Sequence, residues 1–283
     1  MSDPVPAVTE AEATGETAAI YADIRRVYGV SVVNLVWRHL ATFPGALPWA
    51  WETVQPLYID GTIRREAASI RASRHLPEVL APPPEVFAAA GLGPGDLLRI
   101  RDVLDAYDRT NPMALIALSV VQHRLGGAAA ASGGDETEAV SEAPAASEPE
   151  IRLPPLLRLE DLAPSTARLV LRLNRIGAAG QDPVLASMYR NLAHWPGYLA
   201  LAWALLAPLE AGGALAEAIG NALAQAQIKA ADVAARAPLP RAVLAPELRP
   251  AVSRAIERFT SNAIARMLVV CGVLRRAGVG TGT

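Results

Sequence analysis

The sequence predicts an all-α protein built from two copies of one helical plan, and three observations carry that expectation. Apolar residues recur at helical spacing along nearly the whole chain, while the alternation a half-buried strand would need is missing. A stretch poor in large apolar residues divides the chain near its middle. The phrase ATFPGALPWAW at residues 41–51 returns as AHWPGYLALAW at 193–203.

In the first half the helical windows are Thr17 to Val27, Val32 to Ala41, Gly45 to Leu57, Ile63 to Arg74, Glu85 to Ala90, Asp96 to Ala106 and Pro112 to Arg124. LGPGD at 92–96 reads as a turn ending in an Asp96 N-cap. From Gly126 to Glu150 the chain is Ala, Gly, Ser, Glu and Pro with one large aliphatic residue, too little to offset its ordering entropy, so it reads as a linker. The second half offers Pro164 to Arg175, Pro183 to His194, Tyr198 to Leu209, Leu215 to Ala235, Pro240 to Leu244, Glu247 to Phe259 and Ser261 to Arg275. The expected organisation is a tail over 1–12, a repeat over 13–125, a linker over 126–155, a second repeat over 156–277 and a tail over 278–283.

At a constant offset of 152, ten of the twenty positions 38–57 are identical to their counterparts, among them Arg38 and Arg190, Pro44 and Pro196, Trp51 and Trp203. Two copies are too few for a solenoid, which leaves a duplicated domain with pseudo-two-fold symmetry. Within the phrase, proline stops the preceding helix, glycine turns the backbone, and Leu47, Trp51 and Val54, like Leu199, Trp203 and Leu206, then share a helical face. All five tryptophans lie in or beside these motifs and read as core.

Composition excludes several classes of function. The chain is 52% hydrophobic and 19% charged, enough for a substantial core, and its net charge of -2 supplies no field for nucleic acid. The acidic N-terminus lacks an apolar h-region, and the longest apolar run, Tyr198 to Leu209, falls short of the roughly 20 residues of a membrane span. A cytoplasmic protein with no membrane partner is expected. A single cysteine, Cys271, excludes an internal disulfide and a paired-cysteine redox or zinc site, and its apolar run MLVVCGVL reads as core. The four histidines show no metal-ligand spacing, so no metal and no cofactor are expected.

GETAAIYADIRRVYGV, LATFPGALPWAW, FAAAGLGPGDLLRIRDVLDAYDRTNP and LAHWPGYL together resemble the group I 2-haloacid dehalogenases, the DehI family often labelled halocarboxylic acid dehydrogenase. The resemblance runs from about Gly15 to Leu125 and, more loosely, from Leu156 to Arg276. It implies an all-α pseudo-dimer of tandem repeats, related to the AhpD-like proteins, with a site between the halves and room for association as a homodimer. It also implies a hydrolytic reaction in which an aspartate activates water to displace halide, while an asparagine holds that water.

Asn111 in RTNPMALI matches that asparagine. On its own residues it equally reads as an N-cap before a helix opened by Pro112. Aligning back from Trp195 puts Ser187 and Met188 where the family has Ser and its aspartate, so this chain resembles a divergent member that carries Met where the base belongs. Val32 and Leu35 stand at positions of pocket aromatics. Asp182, the nearest acid, directly precedes Pro183 and reads either as an N-cap or as a relocated base; on a continuous helix it would lie about 9 Å from Met188 along the axis. Arg25, Arg26, Arg38 and Arg190 are candidates to pair with a ligand carboxylate, against the ordinary reading as surface arginines. Three functions follow: a dehalogenase-like protein that binds a small carboxylate or apolar molecule between its repeats, a catalytically silent binder or scaffold, or an active dehalogenase using Asp182.

Overall fold

Helix α1 (Gly15–Tyr28) turns Tyr21, Ile24, Val27 and Tyr28 inward at helical spacing, and it ends where Gly29, at φ 65°, returns its N–H to the Arg25 carbonyl. That reversal sends residues 30–34 toward α2 (Leu35–Leu40). Helices α3 (Ala46–Ile59), α4 (Thr62–Ser73) and α5 (Pro84–Ala89) follow, then a 32-residue helix, α6 (Pro94–Leu125). The second half runs through α7 (Pro164–Leu173), α8 (Ser187–Leu192), α9 (Pro196–Ala211), α10 (Ala214–Arg236) and α11 (Arg249–Phe259). A five-residue π turn (Thr260–Ile264) then leads into α12 (Ala265–Arg276). This computed structural model describes residues 5–127, 153–178, 180 and 183–278, and among them the protein is all-α, without a β-strand.

Helix α6 is the central post: α4, α10 and α12 all pack against it. Its second half is buried on every side from Thr110 to Val121, as is α12 from Ala265 to Leu274, which is the pattern of core helices rather than amphipathic surface ones. An ion-pair network ties the post to its neighbours, with Asp108 of α6 held between Arg74 of α4 (2.6 Å) and Arg275 of α12 (3.0 Å). The buried Cys271 thiol donates to the Leu104 carbonyl at 3.0 Å. Four of the five tryptophans are buried as expected, while Trp203 is only partly buried against the core.

Elements recur at the spacing seen in the sequence. Helices α2 and α8 begin and end 152 residues apart, and α4 and α10 begin 152 residues apart. Helix α1 packs on α3 and α3 on α4, as α7 packs on α9 and α9 on α10. Ser73 Oγ donates to Gln225 Oε1 at 3.0 Å, a contact between two positions separated by that same 152. The repeated phrase itself is used differently in its two copies. Gly45 caps α3 at φ 74°, whereas Gly197 lies inside the first turn of α9, where a Cβ would come within 2.1 Å of the Ala90 carbonyl oxygen.

Several expected boundaries move. The windows Asp96 to Ala106 and Pro112 to Arg124 form one helix, so Asn111 caps nothing: Pro112 forfeits a single ladder bond, and burial of the surrounding turns offsets it. Asp96 is the third residue of α6 and accepts the Gly93 N–H at 3.0 Å, with Gly93 as N-cap. The window Pro183 to His194 shrinks to α8, because Asn174 Oδ1 takes the Ala186 N–H at 3.0 Å and Arg266 takes the Val184 carbonyl at 3.3 Å, holding residues 183–186 out of the helix. The spacing of Asp182 from Met188 on a continuous helix therefore lapses, and Asp182 itself lies outside the described residues. Residues 240–244 form no helix, since the N–H groups of Arg241 and Ala242 both go to the Glu52 carboxylate at 2.7 Å. Residues 128–152 of the expected linker, and 1–4 and 279–283 of the tails, lie outside the described residues.

Candidate functional site

Residues 30–36 and 184–188 bring their side chains to one cavity of about 360 Å³, which α6, the start of residues 153–156 and the π turn complete. The positions match at the 152 offset: Val32 and Leu35 line it from one half, Val184 and Ser187 from the other, and Tyr107 and Asn111 of α6 correspond to Phe259 and Ala263. Two helix irregularities coincide with it, Pro112 inside α6 and the π turn before α12.

The residues singled out from sequence meet here. Val32, Leu35, Asn111, Ser187 and Met188 all line the cavity. Met188 is fully buried, and Asn111 is 7% exposed with its Nδ2 lacking a hydrogen-bond partner. The methionine thioether is at best a weak acceptor and takes no proton from water at neutral pH. Among the described lining residues there is no Asp, Glu, His or Lys.

Tyr107, Asn191 and Arg38, with Asn34 and Thr110, complete the described polar lining. The Tyr107 hydroxyl donates to Asn191 Oδ1 at 2.7 Å and also bonds the Ser187 side chain, while Asn191 Nδ2 donates to the Pro154 carbonyl at 2.6 Å. Burial pushes the Tyr107 phenol well above its ordinary pKa, so at neutral pH it is a hydrogen-bond donor and not a base. Arg38 is the only cation among the described lining residues; its Nε donates to the Val33 carbonyl at 3.1 Å, and no partner of its terminal nitrogens occurs among the described residues. Of the other arginine candidates, none is among the described lining residues: Arg25 pairs with Glu10, whose carboxylate also accepts the Val33 N–H at 2.9 Å, Arg26 pairs with Asp23, and Arg190 Nε donates to the Leu157 carbonyl at 2.8 Å.

Residues 153–156 form a wall that composition assigned in part to the linker. Besides the Asn191 bond to Pro154, His194 contacts the Pro155 carbonyl at 2.9 Å, so residues 154 and 155 are pinned by their carbonyls to α8 and the turn after it. Arg266 sits behind the opposite wall. It is 0% exposed, bonds the carbonyl and Oδ1 of Asn174 and the carbonyl of Val184, and makes no ion pair among the described residues. Through Asn174 and Val184 it sets the path of the chain into Ser187 and Met188. Its sequence surroundings, an arginine within an apolar stretch, were the only available signal. Among the described residues no three His, Cys, Asp or Glu side chains converge as a metal site, and no single helix is long and apolar enough to cross a membrane.

No family model matches the chain. It is similar to a configuration-inverting 2-haloacid dehalogenase of Alcaligenes xylosoxydans xylosoxydans, 28% identical over 201 residues that make up 69% of this chain and 67% of that protein. An (R)-2-haloacid dehalogenase of Rhizobium sp. (strain NHG3) is 28% identical over 212 residues, 71% of this chain and 77% of its own length. Among solved structures, a D-2-haloacid dehalogenase in complex with L-LA superposes with a TM-score of 0.77 at 22% identity, covering 98% of this chain and 97% of that one. A mutant D-2-haloacid dehalogenase superposes with a TM-score of 0.78 at 21% identity over the same shares.

Proposed function

We propose that this protein is a dehalogenase-like binder of a small organic molecule, taken up in the cavity between two copies of one helical repeat, and that it does not hydrolyse 2-haloacids. The observation that carries the reading is Met188, fully buried on the cavity wall with no Asp or Glu among the described lining residues. Hydrolytic displacement of halide needs a group that accepts the proton of the attacking water, and neither a thioether nor a neutral phenol held as a donor supplies it. What remains is suited to binding: Asn111 Nδ2 offers an unused donor, Tyr107 and Ser187 form a satisfied polar edge, and Arg38 supplies the one positive charge.

The two-copy reading, with a pseudo-two-fold axis near the Ser73 and Gln225 contact, is supported by the shared 152-residue spacing of α2 with α8 and α4 with α10. The experiment is halide release from each enantiomer of 2-chloropropionate, alongside calorimetric titration with the same compound. Binding without halide release is the expected result. Turnover on the order of 1 per second, ordinary for an enzyme, would overturn the silent reading, and loss of that turnover in Asp182→Asn would identify Asp182 as the base.

A further inference from the structure

We propose that the ligand of this cavity is an aliphatic monocarboxylate of about six to ten carbons, with its carboxylate on Arg38 and its chain along the apolar walls; this deepens the binding reading above and rests on it. Size is the first argument. A volume of about 360 Å³ lies in the range of pockets that enclose drug-sized ligands, and at about 30 Å³ for each water-sized group it holds roughly a dozen heavy atoms. A three-carbon haloacid, with half that number of atoms, would leave much of the space to water held against apolar walls.

Polarity is the second argument. Val32, Leu35, Val184, Leu185, Ile264 and Met267 present hydrocarbon, while hydrogen bonds join Tyr107, Ser187 and Asn191 into one polar cluster. A ligand that satisfied this wall needs one polar end and a long apolar body. Charge is the third. Arg38 is the only ionised side chain among the described lining residues, and its terminal nitrogens lack a partner among the described residues. The unpartnered Asn111 Nδ2, on a residue 7% exposed, is a donor that a carboxylate oxygen would satisfy.

The test is isothermal titration of the full chain with propionate, butyrate, hexanoate and octanoate, and with 1-octanol as the uncharged control. Each added methylene is expected to tighten binding about fourfold until the cavity is full. Octanoate should bind at least tenfold more tightly than octanol, and Arg38→Gln should remove that preference while leaving octanol unchanged. Should Arg38→Gln fail to fold by far-UV circular dichroism, Arg38→Lys, which keeps a point charge but loses the planar fork, is expected to retain part of the preference. Equal affinities along the series, or propionate binding with octanoate excluded, would overturn this inference while leaving the binding reading intact. Octanol binding as well as octanoate would overturn the assignment to Arg38. Absence of binding by every acid, 2-chloropropionate included, and by octanol would overturn both readings.

Discussion

Replacing Met188 by Asp tests whether the cavity lacks only a base or has become a different environment. Met188 is fully buried, so its loss removes about 2 kcal/mol of apolar burial at any pH. A carboxylate introduced there would join a wall that includes Val184, Leu185 and Met267, with Asn111 Nδ2 and Ser187 among its polar groups. Desolvation raises its pKa above the value of about 3.9 it has in the unfolded chain, and a shift of about three units corresponds to about 4 kcal/mol. The native state then binds more protons than the unfolded state between those two values. Stability therefore falls as pH rises through that window, the reverse of an ion-paired aspartate.

At about 2 to 4 °C per kcal/mol for a chain of this size, Met188→Asp should lower the melting midpoint by roughly 4 to 8 °C at pH 4, and by a further 8 °C or more at pH 8. The assay is thermal denaturation of variant and wild type in matched buffers from pH 4 to 8, with halide release from 2-chloropropionate followed in parallel. Any halide release gained should be slight and should grow with pH as the carboxylate ionises. A variant whose midpoint difference from wild type stays constant across that range would refute the reasoning, because it would show a solvated carboxylate and hence a wet cavity.

Three further outcomes follow from the described interactions. The Gly93 N–H, then the Trp195 indole, hold the Asp96 carboxyl below its ordinary pKa, so its contribution is present above about pH 4, the unfolded range, and is lost as pH falls through the lower native value; Asp96→Asn should destabilise at pH 7 and much less at pH 3, read as midpoint differences. Arg266→Met should cost about 2 to 4 kcal/mol in urea unfolding, since the carbonyls of Asn174 and Val184 lose their buried donor; a loss under 1 kcal/mol would mean that water replaces the guanidinium. Burial pushes the Cys271 thiol well above its ordinary pKa, so a thiol-specific reagent should modify no cysteine in the native protein and one after denaturation.

The helical class was legible because apolar periodicity is a local property, and Val32, Leu35, Asn111, Ser187 and Met188, which the family resemblance singled out, line one cavity. What escaped depended on partners distant in sequence. Pro112 reads as a helix start until the burial of α6 on both sides of it is known, and residues 183–186 read as helix until Asn174 and Arg266 take their backbone groups. Tyr107 stood in the stretch DAYDRTNP without being singled out, because its hydrogen bond is to Asn191, 84 residues away. Arg38 was one of four equivalent arginines until the cavity singled it out, and Pro154 lay in a stretch that composition alone assigned to a linker.

The mismatch of Tyr107 with Phe259, and of Asn111 with Ala263, bears on how a guest is oriented. A chamber whose two walls were identical would accept a molecule equally well after a half-turn, and the two poses would be equivalent. Once one wall carries hydroxyl and amide where the other carries a phenyl ring and a methyl, the two poses differ in free energy by the hydrogen bonds that only one of them makes. A guest with one polar end would therefore settle in one of two poses that matched walls could not tell apart.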